Sequence, residues 1–111
     1  MQIELLAPDL MVASRLQAVL PQARSEWASV PGRLLLVDAG PGAAPGWAES
    51  IRAAKADGAL VIAFAPHSMA DRLKSARAAG ADLVAVNGDM LTDPLAVIRR
   101  LRRGTEPAAS S

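Results

Sequence analysis

Three unbroken apolar runs set the fold class of this chain: Leu34-Leu35-Leu36-Val37, Ala59-Leu60-Val61-Ile62-Ala63-Phe64 and Leu83-Val84-Ala85-Val86. A strand with one wet face alternates apolar and polar residues, whereas unbroken aliphatic runs of this length suit strands covered on both faces. Longer amphipathic segments separate the runs. Strands that alternate with helices in this way argue for a parallel sheet with helices on both sides.

The remaining elements follow the same rhythm. Ile3-Glu4-Leu5-Leu6 reads as a first strand stopped by Pro8. A helix is predicted from Asp9, its N-cap, to Leu20, with Val12, Leu16, Val19 and Leu20 on one stripe and Pro21 closing it. A short second strand fits Ser25 to Ala28. The third strand ends at Asp38, and the Gly- and Pro-rich stretch from Ala39 to Gly46 is a loop. Trp47 to Asp57 reads as a helix closed by Gly58. After the Ala59–Phe64 strand, Ser68-Met69-Ala70-Asp71 has the form of a capping box opening a helix to Ala79. In that helix Met69, Leu73 and Ala76 point inward and Arg72, Lys74 and Arg77 outward. Asp82 to Val86 is a fifth strand, Asn87-Gly88 a turn, and Pro94, capped by Asp93, opens a last helix to about Arg103. Five βα units give five helices and a flavodoxin-like, doubly wound, five-stranded parallel sheet in the order 2-1-3-4-5, an α/β fold. One domain over 1–103 is expected, with a flexible tail over 104–111.

Composition narrows the chemistry. The chain has 111 residues, of which 51% are hydrophobic, yet only Trp27, Trp47 and Phe64 are aromatic. Aliphatic side chains must therefore fill the core. The absence of cysteine excludes disulfides, thiolate metal sites and cysteine nucleophiles. His67 is the single histidine, which excludes a His-rich metal centre, and it reads as a loop residue. The Ala39–Gly46 loop lacks the Lys and Ser/Thr of a phosphate-binding loop. A net charge of +1 gives no global pull toward nucleic acid. Arg99, Arg100, Arg102 and Arg103 form one cationic cluster, placed to offset a helix C-terminus or to meet an acidic partner. No apolar run reaches the roughly 18 residues of a membrane helix. A soluble, cytoplasmic domain with no membrane contact is expected.

In an open parallel sheet, ligands meet the carboxyl ends of the strands. Here those ends are Ala7-Pro8-Asp9, Asp38, Ala65-Pro66-His67 and Asn87-Gly88. Five βα units, the Asp closing the third strand, and Ala79-Gly80-Ala81-Asp82-Leu83 before the fifth strand together resemble a response-regulator receiver domain over residues 1–103. The resemblance implies a phosphoacceptor Asp, two acids that hold Mg²⁺, a Ser or Thr, and a Lys, because phosphoryl transfer is mostly positioning and charge neutralisation. Carried over residue by residue, Asp38 matches the phosphoacceptor. The acidic pair falls on Ala7 and Pro8, with Asp9 one residue on. The hydroxyl position falls on Ala65 and the Lys position on Asn87.

The implied protein is thus a degenerate or pseudo-receiver: a non-enzymatic protein–protein interaction module in two-component signalling, without conventional phosphotransfer. It needs no cofactor or metal, and Mg²⁺ only if Asp38 is phosphorylated. Two other readings stay open, a phospho-accepting receiver using Asp38 and a small-ligand sensor at the same strand edge. The implied partner surface is the face of helix 4, strand 5 and helix 5. It carries Arg72, Lys74, Asp82, Asp89, Arg99 and Arg102, both signs, as a protein partner or a homodimer would require.

Overall fold

The computed structural model describes residues 1–105. Its elements are β1 (Gln2–Leu6), α1 (Leu10–Gln17), α2 (Leu20–Glu26), β2 (Arg33–Asp38), α3 (Trp47–Ala56), β3 (Leu60–Ala65), α4 (Ala70–Ala79), β4 (Leu83–Val86), α5 (Asn87–Thr92) and α6 (Pro94–Thr105). All four strands are parallel and lie side by side in chain order, β1-β2-β3-β4. Among the described residues the chain is therefore α/β, with a parallel sheet of four strands and six helices.

The sheet separates two apolar cores. Strand side chains alternate between faces. Ile3, Leu34, Leu36, Ile62, Phe64 and Ala85 face a core shared with Leu16, Leu20, Trp27, Met90, Ile98 and Leu101 from the α1, α2, α5 and α6 side. Val37, Val61 and Ala63 face the other core, with Ile51 and Ala54 of α3 and Ala76 and Ala79 of α4. Phe64 and Trp27 are the largest fully buried side chains, and the remainder is mostly Leu, Ile, Val and Ala.

The sequence-based scheme is corrected in several places. The strand expected at Ser25–Ala28 does not form, so neither five strands nor the order 2-1-3-4-5 is present. Leu20, Ala23 and Trp27 recur at helical spacing and are all buried, so one face of α2 enters the core. Pro21 does not close a helix but occupies the first turn of α2, where its missing N–H costs nothing. A parallel strand at 25–28 would also need a crossover of about a dozen residues before β2, and β2 already begins at Arg33.

The single helix expected over Asp9–Leu20 is two helices with a break at Ala18-Val19. Asn87-Gly88 opens α5 rather than a turn, which raises the helix number from five to six. No side chain caps α4, and Met69 rather than Ser68 stands at its cap position. Gly104 and Thr105 belong to α6, so the tail expected from residue 104 is helical at its start. Its remainder, 106–111, lies outside the described residues. Among the described residues no helix is long and apolar enough to cross a membrane.

Candidate functional site

Asp38 ends β2 on the face that carries Leu34 and Leu36, beneath the start of α1. It is only 3% exposed and, among the described residues, is the one charged residue in the core. Its Oδ1 accepts the Gly40 backbone N–H at 2.7 Å, so the carboxylate closes a turn of its own loop. Asp9 caps α1: its Oδ1 accepts the N–H groups of Met11 at 2.9 Å and Val12 at 3.1 Å.

The Gly-rich loop brings these two acids together. A β-carbon on Gly42 would stand 3.6 Å from Asp9 Oδ2 and 3.8 Å from Asp38 Oδ2. One on Gly40 would stand 3.1 Å from Asp38 Oδ1 and 3.1 Å from Pro66 Cδ. Both glycines therefore serve close approach of backbone to carboxylate. Arg72 supplies the nearby cation. Its Nη1 donates to the carbonyls of Ala39 at 3.0 Å and Gly40 at 3.1 Å. Burial pushes the Asp38 carboxyl above its ordinary range. The Gly40 N–H opposes this, the Asp9 charge adds to it, and Arg72 pulls it down.

Ala7 is half-buried, Pro8 exposed, Ala65 fully buried and Asn87 half-buried, with the Asn87 Oδ1 atom buried. None offers a carboxylate, hydroxyl or ammonium. Ser68 and His67 lie on the exposed loop beyond β3. Neither lysine is at this edge. Lys55 bonds Asp82 at 2.8 Å, before the start of β4, and Lys74 is exposed on α4.

The Mg²⁺ that the receiver resemblance implies finds a poor donor set. Asp9 and Asp38 have each committed one oxygen to a backbone N–H, leaving one apiece. Among the described residues no three His, Cys, Asp or Glu side chains converge. No step is derived through a metal.

Arg72 departs from its sequence assignment. It does not point out from α4 but crosses to the β2 loop. The available signal was its place in the first turn of α4, which starts at the carboxyl edge. Arg99 and Arg102 turn toward α2. Arg99 pairs with Glu26 at 2.7 Å, while Arg102 donates to the Glu26 carbonyl and lies 5.8 Å from the centre of the Trp27 ring. Asp89 stands 3.7 Å from Arg100, and Asp82 is taken by Lys55. The sequence matches no protein-family model and no curated protein.

Proposed function

We propose that this chain is a receiver-like interaction module whose strand-end aspartate is structural. In this reading it is a pseudo-receiver in signalling, built on a flavodoxin-like sheet that lacks the second strand. It is non-enzymatic and cytoplasmic, and it uses no cofactor. The observation that carries the reading is the hydrogen bond from Gly40 N–H to Asp38 Oδ1. A phosphoacceptor must present a free carboxylate to a dianionic group, with cations offsetting the charge. Here the carboxylate is buried and turned into its loop, and the nearest cation, Arg72, is occupied by two carbonyls. Ala65 and Asn87 supply neither the hydroxyl nor the ammonium of a working receiver. Losing those partners removes several kcal/mol of charge stabilisation, on the order of what one catalytic electrostatic contact provides.

The test is incubation of the chain with acetyl phosphate or phosphoramidate and Mg²⁺, followed by intact mass. No phosphoryl adduct is expected. An adduct on the native chain that Asp38→Asn abolishes would establish the phospho-accepting reading instead.

A further inference from the structure

We propose that the flank of α1 beside β1 is the contact surface of a symmetric homodimer, in which Leu10 of each copy enters the groove between β1, α1 and α2 of the other. The proposal goes beyond the pseudo-receiver reading and does not depend on Asp38.

The flank carries a knob and a hole. Leu10 is 83% exposed and Met11 79%, the large apolar side chains that the fold leaves bare among the described residues. Exposed apolar residues scattered singly need no partner, but these two are adjacent and stand beside a groove. The groove, of about 500 Å³, is lined by Ile3 and Leu5 of β1, Gln17 of α1, and Leu20, Pro21 and Arg24 of α2. Ile3 and Leu20 are buried and give it an apolar floor, while Gln17, Pro21 and Arg24 are exposed at its rim.

Helix geometry puts knob and hole on one side. Leu10 and Gln17 stand at the two ends of α1. Their spacing is one heptad, close to two full turns, so their side chains leave the helix only about 20° apart. Gln17 lines the groove with β1, so the Leu10 side is the β1 side. Arg15 lies on the other side of the helix, where it donates to the Leu91 carbonyl of α5 at 3.2 Å.

A two-fold axis through the middle of this flank, at Ala13, lays Leu10 of each copy at the Gln17 end of the other. Both knobs then fill both grooves, and the contact closes after two copies. Ala13 is small and half-buried, which lets the two flanks approach. The N-terminal end of each α1 meets the C-terminal end of the other, so opposite dipole ends face each other. Asp9, exposed and directly before Leu10, arrives beside the partner's Arg24. Arg24 makes no ion pair among the described residues. A net charge of +1 per chain leaves little repulsion between copies. Side chains make this contact, not a strand ladder: Ile3 is 4% exposed, and its carbonyl already accepts Arg24 Nη2 at 3.1 Å. An anionic membrane would call for a basic cluster around the apolar pair, whereas Asp9 stands beside it.

The experiment is sedimentation equilibrium of the full chain over a concentration series, to about 1 mM. A monomer–dimer equilibrium is expected. Leu10→Asp removes the knob and Gln17→Arg sets a bulky charged group across the groove. Each should raise the dissociation constant by about tenfold or more. Both positions are exposed, so circular dichroism should show the fold retained. The chain has no cysteine, so Ala13→Cys treated with a short bismaleimide reports the axis. It should give a linked dimer by intact mass, and Lys74→Cys on α4 should not. A monomer at every concentration, or a dimer unaffected by both substitutions, would overturn the proposal. So would linkage through Lys74→Cys in place of Ala13→Cys, or a monomer that sediments with phosphatidylcholine–phosphatidylserine vesicles through Leu10.

Discussion

Gly40 donates its backbone N–H to Asp38 Oδ1 at 2.7 Å, and this bond makes the strand-end carboxylate part of its own loop. Arg72 fixes the same loop from the other side through the Ala39 and Gly40 carbonyls. Together they hold the carboxyl edge shut around one buried acid.

The buried charge of Asp38 should be a stability cost at neutral pH. Its folded-state pKa is raised, so its contribution is most favourable below the ordinary value of 3.8 and is lost as pH rises through the folded value. Asp38→Asn keeps an oxygen for the Gly40 N–H and removes the charge. It should stabilise the chain near neutral pH by on the order of 1 kcal/mol, with the gain shrinking in acid. Asp38→Ala leaves the Gly40 N–H unpaired and should fall about 1–3 kcal/mol below Asp38→Asn. Urea titrations across pH check both, and an Asn variant less stable than the native chain at neutral pH would refute the argument.

Asp82 ties three elements at the opposite end of the sheet. It accepts from Lys55 Nζ at 2.8 Å and from the Val61 N–H at 2.7 Å, and both side chains are mostly buried. Asp82→Ala should cost about 1–3 kcal/mol, since it strands the Val61 N–H and the ammonium together. Asp82→Asn should cost less, because an amide oxygen can still meet Val61. Denaturant midpoints of the two variants give the comparison.

The unbroken apolar runs made three of the four strands readable, because strands covered on both faces leave no other use for such residues. Asp93 capping α6 was readable for the same kind of local reason, and its Oδ1 accepts the Ala96 N–H at 3.1 Å. The segment from Leu20 to Trp27 was not. Its apolar residues fit a weak alternation and a helical stripe alike, and Pro21 reads as a stop or as a start. Tertiary burial of Trp27 decides between them. At the site, Asp38 and Asp9 were legible from their places at strand and helix ends. Arg72 was not, because only the fold shows that the start of α4 stands beside the β2 loop.

Trp27 should therefore be a keystone of the α2 assignment. It is 1% exposed, and Arg102 lies over its ring while donating to the adjacent Glu26 carbonyl. Trp27→Ala should cost about 3–5 kcal/mol, the range for removing a buried aromatic. Thermal unfolding followed at Trp47 reports it independently of the lost indole. A loss below about 1 kcal/mol, the level of an ordinary surface substitution, would show that α2 does not pack as described.

Gly80 links backbone conformation to the Asp82 bridge. Its φ is +113°, which L side chains rarely adopt, and a β-carbon there would lie 3.1 Å from Lys55 Cγ. Gly58 has φ +83° but open space around it. Gly58→Ala should thus carry backbone strain alone, on the order of 1–3 kcal/mol. Gly80→Ala should carry similar strain plus displacement of Lys55 from Asp82. Its cost should exceed that of Gly58→Ala, and the excess should vanish in an Asp82→Ala background, where no bridge remains to disturb. That non-additivity, read from a double-mutant cycle in denaturant, separates strain from lost pairing. Equal effects of Gly80→Ala in both backgrounds would mean that Lys55 moves aside without releasing the carboxylate.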